Sequence, residues 1–136
     1  MKIVQVTGRS NSGKTTFIKK LIPELNKKGR VAVIKHLADH EYLLEKGKDT
    51  TGFFDAGAEI SAGIDGDKSV VAIRNNSLDA ILALFKVQRM DYAIVEGFKD
   101  RSFKKIVIGD LQVEGCILHN PTVHDVIASI DRFDTY

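Results

Sequence analysis

The sequence predicts an α/β fold: a mostly parallel sheet flanked by helices, with an inserted β-hairpin. Three observations carry this reading. Apolar, strand-like runs alternate with helical patterns, the βαβ arrangement of a parallel sheet. A glycine-rich loop separates the first strand-like run from the first helical one. Asp65-Gly66 then divides two strand-like runs in mid-chain, which is a hairpin signal. At 136 residues the chain suits one domain, 1–136, large enough for a real core.

The elements follow in order. Lys2-Ile3-Val4-Gln5-Val6 reads as a buried strand. After the loop, Phe17, Ile18, Leu21, Ile22 and Leu25 recur at helical spacing, and this helix runs to about Lys28, with Gly29 as its C-cap. Pro23 inside it should kink the helix or end its regular part. Residues 30–35 form the second strand. A polar stretch over 36–52 is long for a simple connection, and such loops tend to be functional. A short helix is expected over 52–57, and the hairpin strands over 58–64 and 69–74. Ser77 caps a helix reaching Val87. Further strands are expected over 92–95, 105–108 and 111–118, and Thr122 caps a last helix carrying Val123, Val126, Ile127 and Ile130.

Composition narrows the function classes. A net charge of +2 with scattered lysines gives no reason to propose nucleic acid as a partner. No run approaches the ~20 apolar residues of a membrane span. The single cysteine excludes an internal disulfide and suits a reducing compartment, and Cys116, in an apolar stretch, is expected in the core. The chain enters its first strand at once, leaving no room for a signal peptide, so a cytoplasmic location is expected.

Residues 8–15 read Gly8-Arg9-Ser10-Asn11-Ser12-Gly13-Lys14-Thr15, followed by Thr16. Glycine, four residues, glycine, lysine and threonine between a strand and a helix is the phosphate-binding P-loop, so the fold is expected to be P-loop NTPase-like. Loop amides and the positive end of the helix cradle phosphates. Lys14 reaches the β- and γ-phosphates, and the Thr15 hydroxyl ligates Mg²⁺. Glu96, closing the 92–95 strand, is the expected second metal residue, so Lys14 and Glu96 are the catalytic candidates and Thr15 and Glu96 the metal candidates. Lys35, His36, Asp39, His40 and Glu41 emerge from the second strand on the same side, where ligands of parallel sheets bind. The His36/His40 spacing also raises a metal reading, which lacks the further ligands a zinc site uses. Lys48, Asp49 and Thr50 follow Gly47.

With these residues in place the chain resembles a small P-loop GTP-binding family, the B proteins of molybdopterin-guanine dinucleotide biosynthesis. The resemblance rests on blocks in order: Val6 to Thr16, Lys20-Leu21-Ile22-Pro23, Val33-Ile34-Lys35-His36, Gly47-Lys48-Asp49-Thr50, Ala56-Gly57-Ala58, Val95-Glu96-Gly97-Phe98-Lys99 and Lys105-Ile106. It implies a homodimer that binds GTP with Mg²⁺, hydrolyses it slowly, and assists the nucleotidyltransferase that joins a guanosine nucleotide to molybdopterin. It also implies that Lys48, Asp49, Phe98 and Lys99 line the site. Departures from the family pattern are an extra residue before His40, Gly52 in place of a basic residue, and Lys104 in place of proline. No Asn-Lys-x-Asp segment is present, so guanine preference comes from the resemblance alone.

Two other readings use the same motif. One is a small-molecule kinase using ATP, although Arg74, Arg89, Arg101 and Arg132 form no lid-like cluster. The other is a non-catalytic scaffold holding a pterin cofactor or a partner, with the hairpin as its surface. A transition-state arginine is worth ~10³–10⁵ in rate, and Arg9 is the nearest candidate.

Overall fold

The computed structural model describes residues 1–37 and 40–136. Two compact units divide the chain: Met1–His36 with Ile81–Tyr136, and Leu37–Ala80.

The first unit is built on a sheet ordered β2-β5-β1-β6-β7. Its strands are β1 (Lys2–Thr7), β2 (Val31–Lys35), β5 (Tyr92–Glu96), β6 (Lys105–Val107) and β7 (Cys116–His119), all parallel. A two-residue strand, β8 (Asp134–Thr135), pairs antiparallel with the start of β1. β1 lies between β5 and β6, and from Ile3 to Thr7 it is entirely buried. Burial on both faces is why its sequence reads as an apolar run rather than an alternation. Helix α1 (Lys14–Asn26) lays Ile18, Leu21 and Leu25 against Val4, Val6, Ile94 and Ile106. Val126 and Phe133 complete this core. Val126 lies on α4 (Val123–Ala128), which opens on a full capping box: Thr122 Oγ1 accepts from Asp125 N, and the Asp125 carboxylate accepts from Thr122 N. α3 (Leu78–Val87) begins one residue after Ser77, whose hydroxyl accepts the Ala80 N–H.

The second unit contains α2 (Asp49–Asp55) and the antiparallel hairpin of β3 (Ile60–Ile64) and β4 (Ser69–Ile73). Asp65 Oδ1 accepts the N–H groups of Asp67 and Lys68, which folds the turn that the Asp-Gly pair announced. Ser61 Oγ donates to the Thr50 carbonyl and ties β3 to α2.

Several expectations are corrected. α1 does not end at Pro23 but runs to Asn26, with Lys27 rather than Gly29 as its C-cap, and the buried Leu25 beyond the proline keeps the last turn on the core. α2 starts at Asp49 rather than at residue 52, so Gly52 lies inside it. The strand expected over 111–118 is confined to Cys116–His119. Gly115, at φ +77°, turns the chain just before it, and its carbonyl accepts the Lys105 N–H at the sheet edge. Cys116 is exposed, because β7 is an edge strand. No helix among the described residues is long and apolar enough to cross a membrane.

Candidate functional site

The P-loop joins the carboxyl end of β1 to α1. At Gly8 the chain passes so close to β6 that a Cβ would stand 2.2 Å from the Ile108 carbonyl oxygen and 2.7 Å from Ser12 Oγ. Gly13 caps α1 in the left-handed region at φ 94° and supplies no side-chain cap. The first N–H groups of α1 therefore have no side chain of the cap residue to satisfy them, which is the form an anion site takes. Ser12 Oγ is buried and has no hydrogen-bond partner among the described residues. Lys14 reaches back over the loop, its Nζ donating to the carbonyls of Gly8 at 3.2 Å and Arg9 at 2.6 Å. Burial pushes its pKa below the usual lysine value of 10.5; Glu96 pulls it back up, while Lys35 and Lys99 lower it further.

Glu96 ends β5, beside β1, and its side chain is only 9% exposed. Thr15 Oγ1 lies 3.3 Å from each carboxylate oxygen. Lys35, at the end of β2, places its Nζ 3.1 Å from Glu96 Oε1 and 3.3 Å from Thr15 Oγ1. Thus the hydroxyl and carboxylate singled out as metal residues converge on a common cationic partner. Hard oxygen donors of this kind suit Mg²⁺. Among the described residues no group of three or more His, Cys, Asp or Glu could hold a metal ion. A Mg²⁺ held here would have to draw its remaining ligands from phosphate and water oxygens, its usual company in nucleotide sites.

The turn after Glu96 is held from below. Gly97 is at φ +92° and Phe98 at φ +52°, and the buried Gln5 side chain donates to both of their carbonyls at 2.7 Å. This aims the Phe98 ring at His36, with centroids 4.4 Å apart and planes 23° from parallel. Lys105 is buried as well, and its ammonium is satisfied by the carbonyls of Arg101 and Phe103, closing the loop that carries Phe98 and Lys99. Arg9 points its guanidinium at Asp110, 3.2 Å away, with both side chains mostly exposed.

Most of the sequence candidates therefore gather around β1: Gly8 to Thr16, Lys35, His36, Glu96, Phe98 and Lys99. Lys48 and Asp49 stand in the second unit, at the start of α2, where Lys48 pairs with Glu45 at 3.5 Å. His40 donates its N–H to the Leu37 carbonyl, and Asp39 lies outside the described residues. Gln5 and Asp110 are additions from the structure. A glutamine inside an otherwise apolar strand was the available signal for Gln5; Asp110, in a polar loop, carried none.

The β1–P-loop–α1 unit, beside a strand ending in an acidic residue, defines the class: a small P-loop NTPase-like α/β protein. The family model of molybdopterin guanine dinucleotide synthesis protein B, MobB, matches residues 3–132, and the chain belongs to that family. It is 35% identical over 111 residues to the probable molybdopterin-guanine dinucleotide biosynthesis adapter protein of Bacillus subtilis, covering 78% of this chain and 64% of that one. Identity is also 35% over 100 residues with the putative adapter protein of the same name from Methanocaldococcus jannaschii, covering 74% of this chain and 42% of that one. The match thus spans less than two thirds of either relative. The crystal structure of Bacillus subtilis MobB has a TM-score of 0.74 over 100% of both chains at 23% identity. A MobB homologue from Bacillus stearothermophilus has a TM-score of 0.63 over 97% and 94% of the two chains at 24% identity. These two likenesses concern the fold.

Proposed function

We propose that this protein is a cytoplasmic, Mg²⁺-dependent GTP-binding adapter of molybdopterin-guanine dinucleotide biosynthesis, with weak GTPase activity, that assists a nucleotidyltransferase or presents molybdopterin to it. The observation that carries the reading is the convergence of Lys14, Thr15 and Glu96 at one P-loop in a MobB-family chain.

Each residue has a task in this reading. The loop amides and Lys14 bind the phosphates, and the shape enforced by Gly8 and Gly13 keeps those groups preorganised. Thr15 and Glu96 hold the metal, which when bound neutralises charge on the phosphates. His36 and Phe98 stack just past Glu96, and with Lys99 they would face the nucleotide; Lys48 and Asp49 are carried over as site residues from the family resemblance alone. Arg9 is occupied by Asp110 and so offers no free transition-state arginine within its own chain. An adapter whose hydrolysis is slow fits that arrangement.

A homodimer completes the proposal. Cross-strand register puts Ile60, Ala62, Ile64, Val71 and Ile73 on one hairpin face, and Ile60, Ile64 and Val71 are each at least half exposed there. Two-stranded hairpins are marginal without a covering layer, and a second copy supplies one.

Calorimetric titration with GTP and ATP, with and without Mg²⁺, tests the reading. A Mg²⁺-dependent preference for GTP supports it. An ATP preference together with transfer of the γ-phosphate to a small acceptor replaces it with the kinase; binding of the nucleotidyltransferase with no nucleotide affinity replaces it with the scaffold.

A further inference from the structure

Glu96 is a carboxylate with nine-tenths of its side chain out of water. Such a group requires a cation or several hydrogen bonds to remain there charged. Lys14 and Lys35 act on it and Lys99 acts on Lys14, and the three are engaged differently. Lys14 spends its ammonium on the carbonyls of Gly8 and Arg9. Lys99 acts on the cluster through space, as its effect on Lys14 indicates. Lys35 touches Glu96 and Thr15 directly, at 3.1 and 3.3 Å.

We infer that Lys35 is the resident counter-cation of the Thr15–Glu96 pair, and that a divalent metal binds there only by displacing its ammonium. This inference rests on the reading of Thr15 and Glu96 as metal ligands. A hydroxyl and a carboxylate that converge on one positive charge cannot serve a second at the same point, because two cations in contact repel. Lys35 is suited to leaving. Its side chain is half exposed, and it ends the edge strand β2 on a flexible four-carbon stem. Once displaced, its ammonium joins Lys14 and Lys99 as a third cation available to a polyanion, with Glu96 now neutralised by the metal. Metal and nucleotide would then favour each other: the metal frees Lys35, and the phosphates give it a new partner. By linkage the coupling is reciprocal. Lys35 thereby acts as a positioning residue that makes the site prefer a metal–nucleotide pair over either alone.

The test uses Mn²⁺ alone, added to the nucleotide-free protein and followed by electron paramagnetic resonance. Lys35→Met removes the competing charge and keeps the bulk, so it should tighten Mn²⁺ binding by roughly two- to fivefold, the range expected for losing a half-exposed ion pair. Lys35→Arg keeps a cation on Glu96 and should stay near the wild type. Lys99→Met removes one positive charge from the same cluster without touching Glu96, and should tighten binding less than Lys35→Met does. Unchanged or weaker binding to Lys35→Met, no measurable binding to it, or an effect no larger than that of Lys99→Met would overturn the inference. Nucleotide binding is measured separately on Lys14→Ala. If that variant binds GTP as the wild type does, the P-loop reading fails, whatever the Mn²⁺ result.

Discussion

Gly8 is the tightest point of the loop. A methyl group there would overlap the Ile108 carbonyl and Ser12 Oγ, so Gly8→Ala must shift the loop from β6 or open the sheet edge. We expect Gly8→Ala to lower nucleotide affinity at least about tenfold, since misplaced amides lose their hydrogen bonds to phosphate; equal affinity by calorimetry would contradict the cradle. Lys14 makes a second prediction. Its pKa in the free protein is below 10.5, first through burial. Bound phosphate favours the charged form and raises it again. Binding is therefore favoured below the free-state pKa and weakens as pH climbs through it, with uptake of a proton in the alkaline range. Titrations at alkaline pH in buffers of different ionisation enthalpy should register that proton, and its absence would place another group on the phosphates. Lys14→Ala should abolish binding altogether.

Among the elements, α4 is short, with six residues, and helices of this length depend on their ends and their packing. Its capping box and the fully buried Val126 provide both. Thr122→Ala should cost about 1 kcal/mol of stability, seen as a lowered denaturation midpoint with an unchanged slope. α1 carries more of the core: Leu21→Ala should cost about 2–5 kcal/mol, because a fully buried leucine leaves a cavity. The elements also mark where sequence reasoning stops. The β1–loop–α1 unit, the Asp-Gly hairpin and the Thr122 cap were legible because each rests on local chemistry: special backbone angles, a side-chain hydrogen bond, a repeating apolar period. β8 was not legible, since two residues of strand have no period and exist only because the short β6 pairs with Gln5 to Thr7 and leaves Lys2 and Ile3 of β1 open. The run over 111–115 looked like a strand for its alternating apolar residues, yet lies outside the sheet. β6 and β7 are three and four residues long and leave those five nothing to pair with in register.

For the whole molecule, the exposed apolar residues of the hairpin carry the prediction. Ile64→Lys places a charge on the apolar hairpin face of the proposed contact, in the unit that does not carry the P-loop. It should convert a dimer to a monomer in sedimentation velocity while the nucleotide affinity per chain stays the same. A wild-type protein that is monomeric at all accessible concentrations would remove the dimer from the proposal.

Local pattern alone determined the parallel α/β architecture, the P-loop and the inserted hairpin, because periodicity, glycine spacing and turn chemistry are written residue by residue. The individual site candidates Lys14, Thr15, Lys35 and Glu96 were also visible as residue types at strand and helix ends. Only the tertiary structure decided their relations. The parallel register of β1, β2 and β5 sets Lys35 opposite Glu96 and Glu96 opposite Val6, so residues 20 to 81 positions apart in sequence share one charge cluster. Sheet order likewise put Gln5 under the Gly97–Phe98 turn and paired Arg9 with Asp110. Contacts of this kind depend on which strands become neighbours, a choice made by burying the whole core at once and so absent from any local stretch of sequence.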